Sequence, residues 1–396
     1  MKWIGSSAPY GLYPWYYRED MLAASPSIRE LLAFGAERER FQNSPLVRKS
    51  TFDSTLPESS FHLQSAGNQR RAFGAWGSPD FLTERNATHF AWDRMGIEQY
   101  LARSPDGCTT CLAGIKMVPA EMGLYSNGSN WCLRPLPGGA QPVPLTQALR
   151  VAVEQLLADG KRAVICLSGG LDSALLLALI REAGGMDVPC CTLATGIPNY
   201  CELEQTRATA RALGVSEVQI ISATSEDFIK LLPQAIAAIE APIYNLHPIS
   251  KLFLASALKE QGFEVMLTGD GADQIFAGAD GRNYLPLIGA LVRSVGMELR
   301  TPFLHEAVIA AARHQADSDK SVLRRAATRL LPPEVVNQKK TPRLLPPLDL
   351  NRYWNQSMAR RLAEWIERPI PDNEPGPERT LWTTLMLLER YFHGES

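Results

Sequence analysis

Val164-Ile-Cys-Leu-Ser-Gly-Gly-Leu-Asp-Ser-Ala174 is the stretch that decides the fold. An apolar run, Ala163 to Leu167, leads into Ser168-Gly169-Gly170-Leu171-Asp172-Ser173, and a second apolar run, Ala174 to Ile180, follows at once. That order predicts a strand, a tight glycine turn and the start of a helix. Glycines let a backbone approach a phosphate closely, and a helix N-terminus offers unpaired N–H groups to an anion. Ser168 and Ser173 add hydroxyls, and Asp172 adds a carboxylate suited to Mg²⁺ on a polyphosphate. No Gly-Lys-Ser/Thr follows the glycines, so this is not the phosphate loop of kinases and ATPases.

Around this turn the pattern alternates. Helices are expected over 146–160, 201–213, 228–238 and 247–261, with strands over 163–167, 188–195, 218–221 and 265–268. Such βαβα alternation implies a parallel sheet covered by helices on both faces. From about Leu285 onward the pattern is mostly helical. Upstream, Leu133 to Pro144 is rich in Pro and Gly and reads as an interdomain linker. The expected domains are therefore 1–143 and 144–396. Within the first, short strands and turns are expected over 70–135, with one helix near Met95–Arg103.

In open parallel sheets a ligand sits beyond the carboxyl ends of the strands. The strand at 265–268 runs into Gly269-Asp-Gly-Ala-Asp273, a glycine-rich turn carrying Asp270 and Asp273. Asp172 and Asp273 thus become candidate Mg²⁺ ligands from neighbouring strand ends. Carboxylates brought together cost electrostatic energy unless a cation neutralises them.

Composition narrows the class of partner. The 396 residues are 45% apolar and 21% charged, with 40 basic residues against 42 acidic ones and a net charge of −2. This balance carries no electrostatic footprint for a nucleic acid. No apolar run approaches a membrane span, and the N-terminus lacks the apolar core of a secretory signal, so the cytoplasm is expected. Seven cysteines at irregular spacing argue against a disulfide framework. Cys166, Cys190 and Cys191 lie in apolar runs and read as core residues. Cys108 and Cys111 have metal or redox spacing, but only Cys132 lies near to complete a ligand set.

The 168–173 turn resembles the pyrophosphate loop of enzymes that split ATP into AMP and pyrophosphate. Together with Gly269–Asp273 it resembles the synthetase domain of the asparagine synthetase B and β-lactam synthetase family. Three further stretches agree with it: Gly296-Met-Glu-Leu-Arg-Thr-Pro-Phe-Leu304, Asp319-Lys-Ser-Val-Leu-Arg324 and Leu331-Pro-Pro-Glu-Val-Val-Asn-Gln-Lys-Lys340. The resemblance covers roughly residues 145–390. It implies an adenine-nucleotide α-hydrolase-like α/β synthetase domain of the pyrophosphate-loop type, with a mostly helical C-terminal part. The implied chemistry uses ATP and Mg²⁺: a substrate carboxylate attacks the α-phosphate, and an amine then attacks the acyl-adenylate.

By position, the resemblance implies that Asp172 and Asp273 bind Mg²⁺. Ser168, Gly169, Gly170, Ser173, Leu193, Gly269 and Lys320 would hold ATP and its pyrophosphate. Lys340 would stabilise charge developing on the acyl oxygen, where a donor acts mainly in the transition state. The proton acceptor is open. β-Lactam synthetases carry Tyr, and asparagine synthetases Glu, where this chain has Asp270. Either Asp270 serves as a base or it binds a substrate ammonium group; Glu298 is the nearest partner within the motifs, set against a structural ion pair with Arg300.

Asparagine synthetase B takes ammonia from glutamine with a Cys directly after the initiator Met. Here residue 2 is Lys and the first cysteine is Cys108. Tyr100-Leu101 and Gly114–Leu124 still resemble the end of that family's amidohydrolase domain. The N-terminal region is therefore expected to be a shortened, inactive α+β remnant of an Ntn amidohydrolase, serving packing and homodimer contact. With no glutaminase, the leading expectation is a lactam-forming synthetase acting on a small amino-acid-derived substrate in toxin or antibiotic biosynthesis. The tabtoxinine-β-lactam synthetases are one branch that fits. Alternatives are a lasso-peptide macrolactam synthetase, an ammonia-dependent asparagine synthetase and, from another class, an RNA-modifying adenylating enzyme. Ala277–Asn283 and Lys339–Pro347 are expected to close over the site.

Overall fold

A computed structural model describes residues 2–6, 16–18, 23–25, 28, 91–104, 106, 108–119, 122–126, 131–135, 143–279, 284–312, 319–338 and 345–393. Contacts divide the chain into two compact units. One comprises Met1–Leu136, Leu232–Leu246 and Pro347–Ser396, and the other Pro137–Leu231 and His247–Pro346. By contacts, the segment from Pro347 clusters with the first unit.

The first unit contains two three-stranded sheets. Strands β1 (Lys2–Ser6), β5 (Met122–Ser126) and β6 (Trp131–Pro135) form one, in the order β1-β5-β6. Strands β2 (Tyr16–Arg18), β3 (Ala23–Ser25) and β4 (Lys116–Met117) form the other, in the order β3-β2-β4. Helix α1 (Arg94–Leu101) starts on Asp93, whose carboxylate accepts from the Gly96 amide at 2.9 Å, a side-chain N-cap. The expected helix at 95–103 is thereby found, while the expectations over 31–90 lie outside the described residues.

The second unit is built on a five-stranded, all-parallel sheet. In chain order its elements are α2 (Leu145–Leu157), β7 (Ala163–Cys166), α3 (Leu171–Glu182), β8 (Cys190–Thr195), α4 (Leu203–Ala212) and β9 (Gln219–Ala223). Helix α5 (Ser225–Ile239) runs from this unit into the other. Then come α6 (Ile249–Glu260), β10 (Val265–Leu267), α7 (Ala272–Phe276), α8 (Leu285–Ser294), β11 (Glu298–Arg300), α9 (Glu306–Ala312), α10 (Ser321–Ala327) and α11 (Pro333–Val336). The strand order is β11-β10-β7-β8-β9. Central strands β7 and β10 are almost wholly buried and read as continuous apolar runs, as a sheet covered on both faces requires.

Strand order reverses between β7 and β10: the chain proceeds outward from β7 through β8 and β9, then returns to β10 on the other side. That is a topological switch point, where the loops after two neighbouring strands part and leave a crevice. The four expected strands and the intervening helices are present within a few residues of their expected bounds. The fifth strand, β11, lies in a region expected to be helical. Its Glu-Leu-Arg sequence buries only Leu299, so three residues offer no apolar run to read.

The first unit ends with α12 (Gln356–Ile366) and α13 (Pro377–Phe392). Met358, Leu362 and Ile366 of α12 pack with Trp382, Leu385 and Met386 of α13 and with Ile97 and Cys111. No described helix is long and apolar enough to cross a membrane.

Candidate active site

The loops after β7 and β10 meet through glycines. Gly169 has φ +72°, and a Cβ there would lie 2.7 Å from the Thr206 backbone nitrogen. The Gly169 carbonyl in turn accepts from Thr209 Oγ1 at 2.8 Å, fixing the turn against α4. Across the crevice, a Cβ on Gly269 would meet Asp172 Cβ at 2.9 Å and the Ser173 nitrogen at 3.0 Å. Only a hydrogen at position 269 lets the two loops approach this closely. Gly271, at φ +93°, lies against the Leu304 side chain.

These loops line a cavity of about 700 Å³ within the second unit. Ser168, Gly170, Asp172, Ser173, Gly269, Asp270, Asp273 and Lys320 all face it. Ser173 Oγ donates to the Gly170 carbonyl at 3.2 Å and lies 3.1 Å from both the Ser168 nitrogen and Ser168 Oγ. The serines thus hold the loop in shape. Gly170 caps α3 with no side-chain hydrogen bond, so the first amides of that helix are left to an anion rather than to a capping side chain.

At the cavity wall one ammonium joins both acids. Lys320 Nζ lies 2.8 and 2.7 Å from the two Asp172 oxygens and 2.8 Å from Asp273 Oδ1. The lysine is buried and sits at φ +53°, ψ +40°, a left-handed conformation uncommon for a residue with a Cβ. Strain of this kind collects at functional positions. A cation already occupies the point where the two carboxylates converge. Both are hard oxygen donors, and Mg²⁺ is commonly held by one or two carboxylates with phosphates completing its shell. The residues present fit that ion.

Asp270 has a separate partner. Lys251, in the first turn of α6, places its Nζ 2.6 Å from Asp270 Oδ2. The Asp270 carbonyl accepts from Thr301 Oγ1 at 2.7 Å, so the end of β11 steadies the same loop. Further around the wall stand His247 and Tyr284, their rings 5.9 Å apart, and His247 Nδ1 shares a hydrogen bond of 2.9 Å with Tyr200 Oη. Arg324 donates to the carbonyls of Asp319, Val336 and Gln338, tying α10 to the segment after α11.

Two expected site residues are placed elsewhere. Glu298 begins β11, in register with Val265 at the start of β10, the end of the sheet opposite the cavity. There it pairs with Lys161 and Arg300, and Arg300 also reaches Asp159 at 2.6 Å. The structural ion pair, not the catalytic partner, is what the geometry favours. The 296–304 motif serves the site through Thr301 and Leu304 instead. Leu193 lies within β8 opposite Ile221 and is not among the cavity-lining residues. Lys340 lies outside the described residues, as do 280–283 and 339–344 of the segments expected to close over the site.

The remaining cysteine expectations divide. Cys166, Cys190 and Cys191 are buried, as expected of core residues. Burial pushes both the Cys108 and Cys111 thiols up, which disfavours the thiolate that redox or metal chemistry needs. Lys251, His247 and Tyr284 were not singled out from the sequence; no motif carries them, and only the fold brings them to the cavity, Tyr200 joining through its hydrogen bond with His247.

Residues 144–293 and 288–389 match the model of the asparagine synthase family, and the chain belongs to that family. Over 62 residues it is 44% identical to 7-cyano-7-deazaguanine synthase of Myxococcus xanthus, covering 16% of this chain and 26% of the relative. Over 237 residues it is 28% identical to carboxyethyl-arginine beta-lactam-synthase of Streptomyces clavuligerus, covering 52% and 45%. These matches thus span under half the length of either relative. The NMN synthetase structure from Francisella tularensis aligns with 64% of this chain and 94% of its own at 14% identity, with a TM-score of 0.32. That likeness is too slight to bear on chemistry.

Proposed function

We propose that this protein is an ATP- and Mg²⁺-dependent carbon–nitrogen ligase that adenylates a substrate carboxylate and closes it on an amine of the same molecule, forming a β-lactam. The observation that carries the adenylating part is the pair Asp172 and Asp273, delivered by neighbouring strand ends at the switch point and bridged by Lys320 beside an open helix N-terminus. The lactam part rests on the beta-lactam-synthase relative. The substrate is a small amino-acid derivative, the setting toxin or antibiotic biosynthesis in the cytoplasm, and a tabtoxinine-type β-lactam is one product that fits. The N-terminal unit would act as an inactive amidohydrolase remnant and homodimer contact.

In this reading the Ser168–Ser173 turn and the first amides of α3 hold the pyrophosphate end of ATP. Lys320 follows the phosphates and neutralises the charge that builds on the leaving pyrophosphate. Asp172 and Asp273 would hold Mg²⁺, which supplies further positive charge to the phosphate oxygens when bound. The substrate carboxylate attacks the α-phosphate, pyrophosphate leaves, and the mixed anhydride carries an electrophilic carbonyl. Lys340 stabilises the oxygen of that carbonyl as the amine adds, and AMP departs.

The test is incubation of purified protein with ATP, Mg²⁺, aspartate and ammonia, with AMP, pyrophosphate and asparagine measured. A rise in melting temperature with MgATP but no asparagine supports the intramolecular reading, and a subsequent panel of diamino acids should then yield AMP. Asparagine formation would instead assign the ammonia-dependent reaction. No thermal response to MgATP would remove the adenylating reading altogether.

A further inference from the structure

The amide-forming half of the proposed reaction sheds a proton, and no group assigned above receives it. Glu298 stands at the far end of the sheet. Asp270 is engaged by Lys251 at 2.6 Å, so proton uptake there would break an ion pair. The charged Lys320 and Arg324 have no lone pair to offer. Among the described residues lining the cavity there is one imidazole, that of His247.

The surroundings of His247 fix its place and its edge. It precedes Pro248, the N-cap of α6, and its carbonyl accepts from Ser250 Oγ at 2.8 Å and from the Ser250 amide at 3.2 Å. The residue is half-buried, and its Nδ1 shares the 2.9 Å hydrogen bond with Tyr200 Oη. Tyr200 is 2% exposed, is not among the cavity-lining residues and is braced edge-on by Phe228 at 5.9 Å. The phenol therefore backs the imidazole from within the wall. The two ring nitrogens occupy different edges, so a bond through Nδ1 on the Tyr200 side turns Nε2 away from the phenol. A partner on one ring nitrogen selects the tautomer. With Nδ1–H donating to Tyr200 Oη, Nε2 keeps its lone pair.

We propose that His247 is the proton acceptor of the amide-forming step and that Tyr200 positions it. This rests on the adenylating reading and goes beyond it. The amine nitrogen gives its electron pair to the acyl carbon of the acyl-adenylate, and a C–N bond forms. The bond from that carbon to the AMP oxygen breaks, and AMP leaves with the pair. The proton shed by nitrogen passes to His247 Nε2 and then to solvent. Histidine suits the task because its ordinary pKa lies near neutrality, where an acceptor works best. Adenylation joins a carboxylate to phosphorus and needs no such acceptor, so His247 acts only in the second half. Besides the groups at the phosphate end, the charged and titratable neighbours in the same cavity are Glu202 before α4, Lys251 on α6, Asp270 after β10 and Tyr284 before α8.

The test reads the two halves separately. ATP–pyrophosphate exchange reports adenylation, and AMP release with a new amide reports amine attack. The probes are acids whose amine lies β to a carboxylate, as a four-membered ring requires: L-aspartate, β-alanine and β-glutamate. Hydroxylamine, largely uncharged at neutral pH, traps the acyl-adenylate as a hydroxamate without help from a base. His247→Gln should keep exchange and hydroxamate formation near the wild-type rate, while amide formation falls by about a hundredfold to ten-thousandfold. Tyr200→Phe should lower the same step by less and shift the pH at which it turns on, with exchange unaffected. Both variants should keep the MgATP thermal shift, which shows that they fold. Unchanged amide formation by His247→Gln overturns the proposal. So does an equal loss of exchange, hydroxamate and amide, which marks a structural role. Exchange with none of the three acids while MgATP still raises Tm overturns it too. If aspartate and ammonia give asparagine, a His247→Gln loss confined to asparagine formation supports the assignment although the lactam reading fails. A wild type with no MgATP shift removes the parent reading, and this one with it.

Discussion

Two clusters of charge stand at opposite ends of the same parallel sheet, built from nearly the same ingredients. At the carboxyl ends of β7 and β10, Lys320 joins Asp172 and Asp273. Beside the amino ends, Lys161 and Arg300 join Asp159 and Glu298. The first cluster faces a cavity, stands on glycine loops and carries a lysine in a left-handed backbone. The second does not line the cavity, and Arg300 donates besides to the Leu156 carbonyl at the end of α2. One is a place where charge can be exchanged for a ligand; the other is a clamp. Location along the strand, not membership of a family motif, separates them.

Breaking the first cluster should have the largest effect. Asp172→Asn should lower AMP formation by about a hundredfold to a thousandfold or more, the scale of removing one electrostatic group from a transition-state site, with the melting temperature little changed. Full turnover by that variant would sink the magnesium and phosphate assignment. Next, Gly169→Ala imposes both a left-handed alanine and a clash with the Thr206 backbone. It should cost about 2–4 kcal/mol in urea unfolding.

The second cluster should answer in stability alone. Glu298→Gln should cost about 1–2 kcal/mol and leave activity per folded molecule intact, because one anion is removed from between two cations. A loss of kcat without a loss of stability would restore Glu298 to the chemistry. The smallest effect belongs to Asp159, whose carboxyl is lowered to about 2, chiefly by its hydrogen bond from Arg300. Its folded pKa lies below the unfolded value of about 3.9. Its contribution is therefore complete above about pH 4 and is lost as pH falls through about 2. Being 41% exposed, it should contribute less than about 1 kcal/mol, and Asp159→Asn should flatten that part of the acid limb.

How much of this was legible in the sequence follows from how local each signal is. The Ser168–Ser173 and Gly269–Asp273 turns were legible because strand, glycine and helix start adjoin in the chain. Their meeting was inferable from the rule that ligands bind at strand ends. Lys251 was not legible, since a lysine in the first turn of an apolar helix reads as solvated. Its partner lies 19 positions away across β10. Glu298 was misleading for the opposite reason: it sits inside a matching motif whose work is done by its neighbours Thr301 and Leu304. Strand β11 was invisible because three residues with one buried leucine carry no periodicity.

The bridging lysine also bears on how the molecule comes into being. Lys320 and Asp172 stand 148 residues apart in the chain, and Asp273 arrives from a strand that docks on the far side of β7 from its nearest predecessors. Such non-local pairing is slow to form, because chain entropy is lost before the contact repays it. No fragment ending before β10 can hold half of the cluster in working form. Nascent chains should therefore be silent toward nucleotide until the last central strand is in place, which makes nucleotide binding a direct report of completed topology.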